Sequence, residues 1–200
     1  MSNEVSVEKA GRTTVIRFTN ASARNPLSTA VLAQLHRIID DVGSRHDIKV
    51  LVFTGTGEVF ASGANLREIA LLTKETAPEF ARLGQSLMNK ISEMPQTTIA
   101  AVNGFCFGGA LDLALSCDQR IAAPYATFAH PGTGLGIITG WGGTQRLPRL
   151  VGRTNALELF FTAEPITAER AFRIGLVDLV ANDIFNNELL SLDRNLIEVL

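Results

Sequence analysis

Apolar residues fall along the chain in blocks whose period switches between two and about 3.6. Val5 and Val7 alternate with polar residues, Ala10, Gly11 and Arg12 read as a turn, and Thr13 to Phe18 returns, which predicts a β-hairpin. Between Ser28 and Gly43, the residues Val31, Leu32, Leu35, Ile38, Ile39 and Val42 share one helical face, and Ser28 stands where an N-cap belongs. Lys49 to Thr54 is an unbroken β-branched and aromatic run, the pattern of a strand buried on both faces, and Gly55-Thr56-Gly57 ends it. Glu58 to Asn65 reads as a loop. Phe80, Leu83, Leu87, Ile91 and Met94 mark a second amphipathic helix closed by Pro95, and Thr98 to Val102 is the next buried strand.

Asn103-Gly104 and Gly108-Gly109 then precede Ala110 to Ser116, an apolar stretch that predicts a buried helix carrying one acid, Asp112. Arg120 to Ala122 and Ala126 to Phe128 read as short strands around Pro124. Gly132 to Gly143 is glycine-rich, and the remainder reads as helical to the end. No fixed-period identity repeat appears, but the strand-strand-helix order recurs, so the pattern predicts one α/β domain.

Composition narrows the class. The 200 residues are 46% hydrophobic and 19% charged, enough for one substantial core, and the net charge is −2. A pI near 5.9 without a basic block argues against a nucleic-acid partner. The N-terminus carries acids and lacks the apolar segment of a secretory signal, and the longest apolar runs fall far short of the ~20 residues of a membrane span. A cytoplasmic protein with no membrane association is expected. Cys106 and Cys117 have no His or Cys companion at metal-ligand spacing and read as reduced core thiols, so no metal is expected.

Two segments carry candidate chemistry. In Phe60 to Glu68, small residues (Ala61, Ser62, Gly63, Ala64) expose backbone amides at a loop entering a short helix, where unsatisfied N–H groups favour a negative oxygen; a tight strand-to-helix connection uses the same residues. In Asn103 to Asp112, a strand exit meets two glycines at a helix start, and Asp112 lies one turn from the Gly109 amide. A carboxyl among Leu111, Leu113, Ala114 and Leu115 has its pKa raised by burial unless it pairs with an arginine such as Arg120 or Arg146; both readings stand on the sequence. Two converging amides make an oxyanion hole worth roughly 3 kcal/mol per donor, and a carboxylate beside it can move a proton next to a thioester carbonyl. His130, before Pro131-Gly132, is a further candidate against a structural alternative, and Trp141 reads as core or pocket wall. Gly55-Thr56-Gly57 lacks the third glycine of a dinucleotide fingerprint, and no Walker motif is present.

At these residues the chain resembles the crotonase superfamily of enoyl-CoA hydratases and isomerases. Gly63-Ala64-Asn65-Leu66-Arg67 is similar to the family's Gly-Ala-Asp-Leu-Lys loop. Ala101-Val102-Asn103-Gly104 with Gly108-Gly109 is similar to its Ala-Val-Asn-Gly and Gly-Gly motif. Gly142 to Leu147, Ala168 to Ala171 and Gly175-Leu176-Val177 extend the likeness over most of Thr13 to Val180.

The resemblance implies an α/β crotonase-like spiral of repeated ββα units spanning 1–200 as one domain. Residues 1–180 form its core, and 181–200 open a C-terminal helical region shorter than the family's. It implies a homo-trimer or hexamer and an acyl-CoA substrate of the kind met in fatty acid metabolism, with no cofactor beyond the coenzyme A of that substrate. It places the Ala64 and Gly109 amides in the oxyanion hole, and Ser62, Ala64, Leu66 and Arg67 at the CoA nucleotide site, where arginine can contact phosphate in bidentate fashion.

The chain departs from the family at its two catalytic glutamates, where it has Asp112 and Gly132. One carboxyl suffices for double-bond isomerisation, whereas hydration needs a second activator, for which His130 is the nearest candidate. The expected activity is therefore that of an enoyl-CoA hydratase/isomerase acting through a stabilised enolate. The alternatives are a malonyl-type acyl-CoA decarboxylase and a catalytically silent acyl-CoA-binding protein.

Overall fold

The computed structural model describes residues 4–184. Strand β1 (Val5–Ala10) and β2 (Thr13–Phe18) form the expected antiparallel hairpin, with Val5 opposite Phe18. The two-residue β3 (Pro26–Leu27) leads into α1 (Thr29–Gly43), capped by Ser28, whose hydroxyl accepts the Val31 amide at 3.2 Å. The buried stripe of α1 is Val31, Leu32, Leu35, Ile39 and Val42, as its periodicity demands.

Strand β4 (Val50–Thr54) runs parallel to β2, and its two faces enter different clusters. Leu51 and Phe53 join the main core, while Val50 and Val52 pack with Val15, Ile99 and Ile121 on the other side. A strand covered on both faces needs the continuous apolar run seen there.

Residues 58–65 do not form a plain loop: they contain β5 (Val59–Ala61) and β6 (Gly63–Ala64), the second paired parallel to β3. A one-turn helix α2 (Leu66–Ile69) follows, then α3 (Ala77–Ser92) and β7 (Thr97–Val102). The chain continues through β8 (Phe105–Phe107), α4 (Gly109–Ser116), β9 (Gln119–Ala122) and β10 (Thr127–Ala129). Helix α5 (Gly143–Thr162) breaks at Gly152.

The tail of the described region is not wholly helical either: β11 (Ile166–Thr167) and β12 (Leu179–Val180) flank α6 (Ala168–Arg173). Strands this short are held by partners distant in sequence, so no local period announces them. The expected C-terminal helical region lies largely outside the described residues.

Two sheets organise the molecule. One has the order β1-β2-β4-β7-β9-β12 and the other β11-β10-β8-β5. Three successive units, β4/β5/α3, β7/β8/α4 and β9/β10/α5, each place one strand in the first sheet, the next in the second, and then a helix. This is the spiral of ββα turns that the sequence order predicts. The turn after each strand of the second sheet therefore falls in the same region, beside α2 and the start of α4.

Candidate active site

A cavity of about 740 Å³ opens where these turns meet, and Ser62, Ala64, Leu66, Arg67, Gly109, Asp112 and His130 all line it. The residues singled out along the chain are thus brought together at one site. Gly132, Thr139 and Trp141 complete its inner surface.

The first wall is backbone. Gly63 adopts φ +86, and a Cβ there would stand 2.6 Å from both the Gly109 nitrogen and the Phe107 carbonyl oxygen. Only glycine permits both the left-handed conformation and this approach. A Cβ on Gly109 would in turn lie 3.3 Å from the Ala64 nitrogen, so the two amide-bearing turns touch. Gly109 opens α4, where helix amides lack an intrahelical acceptor.

Side-chain amides tie down the segment that leads into the first of these turns. Asn103 Oδ1 accepts the Gly55 amide at 2.8 Å, and its Nδ2 donates to the Gly57 and Val59 carbonyls at 2.7 and 3.3 Å. Asn25 Nδ2 donates to the Val59 and Phe60 carbonyls at 3.0 Å each.

The second wall is made of side chains. Asp112 is 1% exposed on α4, and burial raises its pKa to about 7. The Thr139 hydroxyl donates to its Oδ2 and opposes that rise, as does the field of Arg146. The Trp141 and Gly143 amides also favour the charged form, although no group completes a hydrogen bond to Oδ1.

The arginine-paired alternative for Asp112 does not hold. Arg120 reaches Asp178 at 3.0 Å and the Leu176 and Cys117 carbonyls, and the Arg146 guanidinium donates to Asn89 Oδ1 at 2.8 Å.

His130 is 3% exposed, and its Nε2 stands 3.6 Å from Asp112 Oδ1. Burial lowers its pKa to about 4, so the imidazole is neutral at pH 7 and the contact is no ion pair. Among the described residues neither ring nitrogen nor Asp112 Oδ1 has a hydrogen-bond partner. Unpartnered polar atoms this deep mark a place where a polar ligand group or water completes the set.

Gly143 supplies the space for the cluster: a Cβ there would run into Asp112 Oδ1 and Thr139 Cγ2, and would lie 3.1 Å from His130 Cε1. The Trp141 indole is wedged between Gly84 of α3 and Gly109, with the Phe80 ring 5.5 Å away.

Sequence reasoning passed over Thr139. A lone hydroxyl in a glycine-rich stretch carries no periodic or spacing signal. Among the described residues no group of three or more His, Cys, Asp or Glu is arranged to hold a metal ion. No helix among them is long and apolar enough to cross a membrane.

Comparison with known proteins points to one family. The family profile for enoyl-CoA hydratase/isomerase matches residues 8–199. The chain is 39% identical over 179 residues to a short-chain-enoyl-CoA hydratase of Clostridium acetobutylicum, covering 89% of this chain and 69% of the relative. It is 42% identical over 175 residues to a crotonyl-CoA hydratase of Syntrophomonas wolfei, covering 87% and 67%. An enoyl-CoA hydratase structure from Bacillus anthracis superposes with a TM-score of 0.85 at 35% identity, covering 98% of this chain and 72% of that one.

Proposed function

Because the chain belongs to the enoyl-CoA hydratase/isomerase family, we propose that it acts on an acyl-CoA thioester by holding the carbonyl oxygen as an enolate between the Ala64 and Gly109 amides. The observation that supports this reading is the close approach of Gly63 to Gly109 in a cavity that Ala64, Gly109 and Asp112 all line. Two such donors lower the barrier to enolate formation by roughly 3 kcal/mol each.

Asp112 is the proton-transfer group. A carboxyl with a pKa near 7 is poised to give or take a proton at neutral pH. Hydration fits the pair of groups best: the water oxygen adds to the β-carbon, its proton passes to the neutral His130 imidazole, and the Asp112 proton goes to the α-carbon. The distance of 3.6 Å between the two residues supports a shared water. Isomerisation needs only Asp112, which removes a proton from one carbon and returns it to another.

Ser62, just before β6, and Leu66 and Arg67 of α2 line the cavity, and Arg67 is exposed. They would take the nucleotide end of coenzyme A, with the guanidinium on phosphate. No cofactor beyond that coenzyme A is required, and a homo-trimer or hexamer in the cytoplasm is the working assembly.

The test follows butyryl-CoA and crotonyl-CoA in D2O by NMR. Exchange of the α-protons and addition of water are expected, with exchange lost in Asp112→Asn. Tight binding without exchange, water addition, thioester loss or CO2 release from any acyl-CoA would overturn the reading and leave silent binding in its place.

A further inference from the structure

We propose that Thr139 is a positioning residue that selects the Oδ1 atom of Asp112 as the oxygen that handles the proton. The inference rests on the acid/base role of Asp112 proposed above.

The argument begins with donor and acceptor roles. The Thr139 hydroxyl donates to Oδ2, so that oxygen already holds a donor and protonation is favoured on the other. The proton, or the free lone pair once it has left, is then on Oδ1. Among the described residues that atom has no hydrogen-bond partner, and it stands 3.6 Å from His130 Nε2, both residues lining the cavity.

The loop is built to hold Thr139 there. A 3-10 turn (Pro131–Leu135) ends at Gly136, and the Ile137 amide closes back on the Gly132 carbonyl at 2.9 Å. On the other side, Gln85 Nε2 donates to the Gly140 carbonyl at 2.8 Å, and Trp141 is wedged between two helices. Thr139 sits between these anchors. Its branched Cβ has restricted rotamers, and its methyl packs over Gly143, which turns the hydroxyl toward the carboxyl.

The neighbours keep the readout clean. The charged and titratable groups facing Asp112 are His130, Arg146 of α5 and the Cys106 thiol of β8. His130 titrates near 4, burial raises the thiol far above its usual value, and the guanidinium stays charged. Asp112 alone therefore changes charge near pH 7.

The experiment compares wild type, Thr139→Val and Thr139→Ser. Two midpoints are measured: that of the pH profile of α-proton exchange on butyryl-CoA, and that of the Asp112 carboxyl by 13C NMR. Valine keeps the shape and removes a hydrogen bond to the charged form. Both midpoints should rise by roughly one pH unit, exchange at pH 7 should fall about fivefold, and the high-pH plateau should hold. Serine should restore the wild-type midpoints.

An unmoved carboxyl midpoint in Thr139→Val, or failure of serine to restore it, overturns the role of Thr139 while exchange by the wild type leaves the catalytic reading intact. A moved carboxyl midpoint with no exchange in the wild type supports the hold of Thr139 on Asp112 and overturns the proposed reaction.

Discussion

The two walls of the cavity depend on sequence in opposite ways. The wall of Gly63, Ala64, Gly108 and Gly109 presents main-chain atoms, and its side chains matter by being absent. The wall of Asp112, His130, Thr139 and Trp141 presents side-chain groups, and it matters by what those side chains carry. In the second wall and the loop beside it, an aspartate and a glycine stand at the positions for which the family resemblance implies glutamates. Chemistry held by main-chain atoms depends on which side chains are absent, and chemistry held by side chains depends on which are present.

Gly63→Ala should break the first wall and have the largest effect. Its Cβ would meet Gly109 N and Phe107 O at 2.6 Å in a left-handed conformation. A loss of about 3 kcal/mol and roughly 10 °C in Tm is expected, with activity falling as the amides part. Thermal unfolding with an exchange assay measures both; a Tm within two degrees of wild type would contradict the steric account.

Asp112→Asn should break the second wall without harming the first. Exchange is expected to fall by at least about 100-fold, while Tm stays level or rises because a buried ionisable group is removed. A large fall in Tm alongside the lost exchange would mean the carboxyl is structural.

The buried pair gives opposed pH terms. Asp112 binds its proton more tightly in the folded state, so its contribution to stability falls as pH rises from about 4 to about 7. His130 is protonated more readily unfolded, so its contribution rises from about pH 4 to 6.5. The terms offset one another in that window. Asp112→Asn should expose the His130 slope, making the variant less stable, relative to wild type, at pH 4.5 than at pH 6.5 in urea titrations. Parallel curves for the two proteins would show that these groups do not titrate as burial dictates.

Gly132→Glu should have the smallest effect. A Cβ there would stand 2.9 Å from the Ile137 carbonyl oxygen, which costs about 1 kcal/mol. Because the loop turns back on this position, the added carboxyl should not raise the rate of crotonyl-CoA hydration. A clear gain in rate would mean the family's second acid can be restored by one substitution.

Sequence periodicity made the long elements legible. The hairpin, α1 with its Ser28 cap, β4, α3, β7 and α4 all follow from apolar spacing or punctuation. The strands β5, β6, β8, β11 and β12 were missed because two or three residues hold no period and their pairing is long-range. The Ala64 and Gly109 turns are legible because small residues and glycines mark close backbone approach, whereas Ser62, Leu66 and Arg67 follow only from the family resemblance. The partner of Asp112 is not legible. Choosing among Arg120, Arg146 and Thr139 depends on which side chain the glycine-rich loop turns inward. Arg120 is taken by Asp178, 58 residues further on.

Asn103 and Asn25 have a consequence for motion. Asn103 anchors Gly55, Gly57 and Val59 to the end of β7, next to the turn that leads into α4. Residues 55–60, which lead into the Ala64 turn, are thereby tied to the end of β7 and to Asn25. For the oxygen proposed to bind at the Ala64 amide, the tether means less conformational freedom is lost on binding.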